Sequence, residues 1–143
     1  MESVNSDYCV KEIVENIRTQ TMKERDDPFL TSYYFAFIER MRKADQIIIV
    51  GAGNYGRSLY KILEQNNIHT VICFADNSCD QYASGVYGKK VLAIADAAEQ
   101  NRNAYFVVTP QYYIMELIRQ LSELCVSLEQ IDCFVVANTG MEI

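Results

Sequence analysis

Gly51-Ala52-Gly53-Asn54-Tyr55-Gly56 places glycines at G-x-G-x-x-G spacing, directly behind the apolar run Ile47-Ile48-Ile49-Val50. An amphipathic stretch follows at once. Each glycine has a mechanical use in holding a phosphate. Gly51 permits a tight strand-to-helix turn. Gly53 has no side chain to keep a phosphate from the backbone, and Gly56 lets the helix pack close to the strand. The free N–H groups and positive dipole end of a helix starting near Asn54 then face the anion. Tyr55 is bulky for such a loop; it either shields the ligand or marks the loop as altered.

Two further groups converge on this loop. Asp76 stands at the C-terminal end of the next apolar run, Val71 to Ala75, where an acid accepts hydrogen bonds from ribose hydroxyls. Asn77 supplements those contacts. An acid there repels a 2′-phosphate, which favours NAD over NADP. The Asp-Asn pair is also a turn former, and that reading stays open. Thr109 and Pro110 end another apolar run beside the same crevice. Thr109 either touches a ligand or caps a helix that has Pro110 at its first position.

Other chemistry lacks its residues. No Y-x-x-x-K pair exists, because Tyr87 and Lys90 are one residue too close. No acid stands just before the glycines, which speaks against a methyl-donor site of the E-x-G-x-G type. No Ser-His-Asp, Cys-His or metal cluster can be assembled, so the catalytic residues are unknown. His69 precedes a strand with no evident partner. The cysteines (Cys9, Cys73, Cys79, Cys125 and Cys133) are odd in number and form no C-x-x-C pair, which argues against a disulfide framework or zinc. Cys125 is expected on the apolar side of a helix, a buried inert thiol. Asp96 and Glu99 read as a solvated helix face.

The elements that must position these residues alternate strand and helix from Gln46 onward. Strands are expected at 46–50, 70–75, 91–92, 104–108 and 131–136. A helix from Asn54 carries Leu59, Ile62 and Leu63 inward and ends at Asn66-Asn67. Another spans about 95–101. A third follows Thr109, with Ile114, Leu117, Ile118, Leu121, Leu124 and Cys125 on one face. Strands apolar on both faces, alternating with helices, imply a parallel sheet covered on both sides. The expected fold is α/β, a doubly wound sheet of order 3-2-1-4-5 with the short strand at 91 on the edge.

Two helices are expected before the sheet. Val10, Ile13, Val14, Ile17 and Thr21 mark the first, which Asp26-Asp27-Pro28 stops. Asp27 caps the second, which has Pro28 at its first position. Leu30, Tyr34, Phe37, Ile38 and Met41 lie on one side, and Tyr33 and Phe35 widen the apolar surface. Arg40, Arg42 and Lys43 read as a solvated, dipole-matched helix end. The chain thus divides into a helical segment, 1–45, and a nucleotide-binding domain, 46–143. The core already has helices for both sheet faces, so the extra aromatic surface points to a homodimer through the N-terminal helices.

Composition narrows the partners. A length of 143 residues suits one domain with a core. The net charge of −6 shows no basic face for nucleic acid. The apolar runs are too short for a membrane span, and Met1 to Asn5 opens no signal core, so a cytoplasmic location is the default.

IIIVGAGNYG, VICFADN, GVYGKKV, AYFVVTP and IDCF, read together from 46 to 134, resemble a Rossmann-like module of bacterial surface-polysaccharide enzymes. In that family the module accompanies sugar transferases, methyltransferases and nucleotide-sugar-modifying enzymes. The same stretch resembles the nucleotide-sugar-binding domain that precedes the β-helix of certain sugar acetyltransferases. The resemblance implies that Gly51, Gly53 and Gly56 hold phosphate and Asp76 holds ribose. The chain departs from it in having no catalytic partner domain. GAGNYGRSLY and FADN also resemble the NADH-sensing domain of the Rex repressors. Those begin with a basic winged helix, whereas residues 1–45 hold 7 Lys and Arg against 9 Asp and Glu. That likeness is assigned to the shared fold. The expected function is a nucleotide-binding domain for NAD or a nucleotide-sugar in polysaccharide or nucleotide-sugar biosynthesis, not catalytic alone. The alternatives are a fragment or subunit of an NAD-dependent oxidoreductase, or a degenerate interaction module.

Overall fold

Four β-branched residues in a row, Ile47–Val50, make the central strand β1, buried on both faces. The computed structural model describes residues 28–134. In chain order these form α1 (Pro28–Lys43), β1, α2 (Asn54–Gln65), β2 (Val71–Ala75), β3 (Val91–Leu92), α3 (Ile94–Gln100), β4 (Tyr105–Val108), α4 (Ile114–Glu123) and β5 (Ile131–Cys133). Short 3₁₀ turns lie at Cys79–Tyr82 and Leu128–Gln130. The sheet order is β3-β2-β1-β4-β5, all parallel, as the patterning requires. Ile49 of β1 sits opposite Phe74 of β2 and Val107 of β4. Order reverses at β1, so the crevice outside its C-terminal end opens between β2 and β4.

Period-two alternation splits β1 between two cores. Ile47 and Ile49 pack with Leu59 and Leu63 of α2 and with Phe37, Ile38 and Met41 of α1. Ile48 and Val50 pack with Ala97 and Ala98 of α3 and with Leu117 and Leu121 of α4. Helix α1 is therefore one of two helices covering its sheet face, not an addition to a face already covered. Its basic last turn is exposed, as expected, and its two arginines also hold partners. The Arg40 guanidinium donates to Asp132 of β5 through Nε at 2.7 Å, and Arg42 donates to the Asn66 carbonyl at 2.9 Å.

The helix from Asn54 ends at Asn66 with Asn67 left-handed, where the Asn-Asn pair puts the stop. Two other expectations are corrected. Cys125 lies past the end of α4, exposed, with φ of 70°; the helix stops before its periodicity does. His69 has a partner, Glu64, whose carboxylate lies 3.0 Å from Nδ1. The first N-terminal helix with Val10 to Thr21, the Asp27 cap, Cys9, the side chains of Leu30 and Tyr33, and positions 135–136 of the last strand fall outside the described residues. Among the described residues no helix is long and apolar enough to cross a membrane.

Candidate functional site

The loop between β1 and α2 has the shape its glycines demand. Gly51 has φ of 107°, and its N–H donates to the Ala75 carbonyl at 2.7 Å. A Cβ there would stand 2.5 Å from the Thr109 hydroxyl oxygen and 2.8 Å from Pro110. Gly56 touches the turn itself: a Cβ would fall 1.8 Å from the Gly51 carbonyl oxygen. Gly53 differs from both. Its φ is −84°, and the nearest atom to an added Cβ is the Tyr82 hydroxyl oxygen at 3.9 Å. The fold needs no glycine at that position.

Gly53 is also the N-cap of α2, and no side chain caps that end. The first helical bond runs from the Arg57 N–H to the Gly53 carbonyl at 3.0 Å. The N–H groups of Asn54, Tyr55 and Gly56 precede it and have no partner in the helix ladder. They and the dipole make an anion-receiving end.

A cavity of about 440 Å³ opens at this helix end. Its floor is Val50, Gly51 and Ala75 at the strand ends, with Gly53, Tyr55 and Gly56 beside them. Asp76, Asn77, Ser78 and Tyr82 form one wall. Thr109, Pro110, Tyr113, Glu116, Leu117 and Gln120 form the other, and Ile94 adds an apolar side. Among the described residues its lining carries the acids Asp76 and Glu116 and no Lys or Arg, so the donors they offer a phosphate are neutral groups and the helix end. Of the sequence-predicted residues only Asn54 does not line it. The Asn54 side chain is exposed and accepts from Arg57 at 3.4 Å.

Asp76 turns its carboxylate to the backbone. Oδ2 accepts from the Ala52 N–H at 2.8 Å, inside the glycine loop, and Oδ1 accepts from the Ser78 N–H at 2.7 Å. It thus pins the glycine loop and forms the turn after β2. A carboxylate has about four acceptor sites, so capacity for further donors remains. Asn77 reaches across the crevice. Its side-chain amide and that of Gln120 bond reciprocally, each at 3.0 Å. The pair joins the end of β2 to α4.

Thr109 corrects the expected helix cap. Helix α4 starts at Ile114, and Thr109 is buried, its hydroxyl donating to the Val50 carbonyl at 2.8 Å. The Pro110–Tyr113 segment stays non-helical. Gln111 holds it by donating to the carbonyls of Thr109 and Phe134. Sequence reasoning missed Ser78, Tyr82 and Ile94 on the β2 side of the cavity, and Tyr113, Glu116 and Gln120 on or just before α4. The signal was present: Gln120 follows the inward-facing Leu117 by three residues, on the same helix side. Among the described residues no group of three or more His, Cys, Asp or Glu could hold a metal.

Residues 46–109 match the family model of the PglD N-terminal domain. A solved structure described as RSP, a Rex-family repressor, shares the fold with a TM-score of 0.51 at 12% identity. That match covers 76% of this chain and 61% of the repressor chain, so this chain spans about three fifths of its neighbour. No curated protein sequence matches this chain.

Proposed function

We propose that this chain is a nucleotide-binding module of nucleotide-sugar or polysaccharide biosynthesis, with NAD or a nucleotide-sugar as its ligand and no catalysis of its own. The observation that carries the reading is Gly53, left open by the fold at the mouth of an anion-receiving helix end. The base lies in the apolar part of the cavity, between Ile94 and Leu117. The ribose reaches Asp76, with Asn77 beside it. The diphosphate meets the N–H groups of Gly53 to Gly56. Asp76 and Glu116 disfavour a 2′-phosphate by like-charge repulsion. The match to the PglD N-terminal domain supports the nucleotide-sugar form, because it falls on the stretch that resembles the acetyltransferase domain. The Rex-family neighbour supports the fold.

Calorimetry with NAD, UDP-sugars and S-adenosylmethionine tests the reading. Wild type is expected to bind a nucleoside diphosphate compound, and Gly53→Val to bind none while keeping its thermal stability. Equal binding by wild type and Gly53→Val removes the phosphate assignment.

Self-association through the N-terminal helices belongs to the same proposal, on a narrower footing than the sequence suggests. Phe37 and Ile38 are buried on the sheet and Tyr34 is half-buried, while Phe35 is 58% exposed. Phe35→Glu is the cleaner test, since a chain starting at Ala44 would also strip Phe37, Ile38 and Met41 from the core. Sedimentation should show a dimer that Phe35→Glu weakens; a monomeric wild type at tens of micromolar refutes the dimer.

A further inference from the structure

Tyr82 brings a phenol to the glycine loop, and the nucleotide reading gives it no task. The residue is half-buried, and its ring packs against the core that α1 and α2 cover. It lines the nucleotide cavity, and its hydroxyl oxygen is the nearest atom to a Cβ built on Gly53, at 3.9 Å. That hydroxyl makes no hydrogen bond among the described residues. A phenol with a packed ring ordinarily gives its O–H a partner.

The phenol is held in place by the segment that carries it. The Ser78 N–H donates to Asp76 Oδ1 at 2.7 Å, which starts the turn after β2. The Gln81 N–H donates to the Ser78 carbonyl and the Gly85 N–H to the Tyr82 carbonyl, each at 2.9 Å. Beyond them Val86 and Lys89 exchange backbone hydrogen bonds, each 2.9 Å. Gly85 closes that turn at φ of 85°, where a Cβ would stand 2.6 Å from the Lys89 carbonyl oxygen. A donor fixed in this way spends little ordering entropy on a ligand.

The position of the hydroxyl decides which part of a ligand it meets. Gly53 heads α2, where the N–H groups of Asn54, Tyr55 and Gly56 lie outside the helix ladder. The space that a side chain on Gly53 would fill is the approach to those groups. An oxygen seated in that approach comes within O–H···O reach of Tyr82, about 2.5–3.0 Å. The need for such a donor is also visible. With no Lys or Arg among the described lining residues, neutral side chains carry a larger share of a phosphate's contacts. Thr109 has given its hydroxyl proton to the Val50 carbonyl, whereas that of Tyr82 is uncommitted.

We propose that Tyr82 is a binding residue of the phosphate site, its hydroxyl donating to the phosphoryl oxygen that sits over Gly53. The inference rests on the nucleotide reading and adds to it a side chain from outside the glycine loop. It makes the segment after β2 part of the anion site and not only a turn.

Calorimetry on the full chain, with NMR titration for weak ligands, compares wild type with Tyr82→Phe, which keeps the ring and its packing. The probes are UDP and ADP, inorganic pyrophosphate for the phosphates alone, and uridine and adenosine for the nucleosides alone. Tyr82→Phe is expected to bind the preferred diphosphate and pyrophosphate about tenfold more weakly, the scale of a hydrogen bond to a charged group. It should bind the nucleoside as wild type does and keep its thermal midpoint. If Tyr82→Phe binds the diphosphate as tightly as wild type, the hydroxyl does not touch phosphate and the assignment is wrong, while the nucleotide reading stands. An equal loss with nucleoside and diphosphate also overturns it, because the hydroxyl then serves the base or the ribose. If wild type binds none of the probes, the nucleotide reading fails and the role of Tyr82 fails with it.

Discussion

At the residue scale the three loop glycines separate into two kinds, and mutation should separate them too. Gly51 and Gly56 are required by the fold: one has a left-handed backbone, the other touches a carbonyl oxygen. Gly56→Ala should therefore destabilise the protein by roughly 1–3 kcal/mol, the usual cost of overpacking a tight contact. Thermal unfolding would show it, and an unchanged midpoint would mean that α2 can withdraw from the turn freely. Gly53→Val should leave the midpoint nearly in place and abolish binding. The sequence carried this distinction, because glycine spacing reflects steric roles that hold whatever surrounds the loop. Asp76 was only half legible. Its place at the strand end follows from the pattern, but its bond to the Ala52 N–H depends on how the loop folds back. Asp76→Ala should weaken nucleotide binding by about 1.5–3 kcal/mol, the scale of a hydrogen bond to a charged group. A 2′-phosphorylated ligand should gain relative to its unphosphorylated partner. Unchanged affinity for both ligands would reduce Asp76 to a turn residue.

At the element scale the docking of α1 decides how the sheet is covered. Three buried apolar side chains, an ionic contact from Arg40 and hydrogen bonds of Arg42 and Tyr34 with Asn66 hold it. Asp132 on β5, 11% exposed, accepts from Arg40 Nε at 2.7 Å and from the Tyr105 hydroxyl at 2.8 Å. One carboxylate thus ties α1 to β4 and β5. The hydrogen bond to Asp132 raises the Arg40 pKa, with burial opposing it. Asp132→Ala leaves a half-buried phenol and a cation without their acceptor, so a loss of about 1–3 kcal/mol is expected. Equilibrium urea unfolding should report it, and Asp132→Asn should recover part of it. A loss confined to a few tenths would make the contact a surface pair of little weight. The strands and the helices near 54 and 94 were legible because their periodicity reflects local packing. The span after Thr109 was not. Thr-Pro is a good helix start in isolation, but here the Thr109 hydroxyl is drawn to the Val50 carbonyl and Gln111 holds the next turn out of the helix. Those partners are remote in sequence, which local pattern cannot see. The role of α1 was hidden for the same reason: Asp132 lies 92 positions from Arg40.

At the scale of the whole molecule, the two cores on either side of the sheet each hold acids that stay neutral at ordinary pH. Burial pushes the Cys73 thiol up to about 11 from 9.0, with the Lys90 charge opposing it weakly. Burial, and then the hydrogen bond to Asp132, push the Tyr105 phenol up to about 12 from 10.0. Cys73 sits among the α3 and α4 side chains and Tyr105 packs against the core on the α1 side, so each reports on one half of the fold. An acid whose folded pKa lies above its unfolded value keeps its proton longer when folded. The unfolded chain then binds fewer protons between the two values, and unfolding free energy falls as pH rises. The contribution is complete below the unfolded pKa and is lost through the folded one. Stability should therefore be level up to about pH 9 and decline from there toward pH 12, with the thiol governing the onset and the phenols, Tyr105 and the Tyr60 that burial also raises, the upper part. Urea midpoints followed from about pH 8 to 11 would trace the onset and the start of the phenols' part. Cys73→Ala should delay the onset, and Tyr105→Phe should flatten the decline above about pH 10. Two independent delays would place a titrating group in each core. A wild-type midpoint that stays level to pH 11 would mean that water reaches both groups, and that the sheet is covered less completely than α1, α2, α3 and α4 imply.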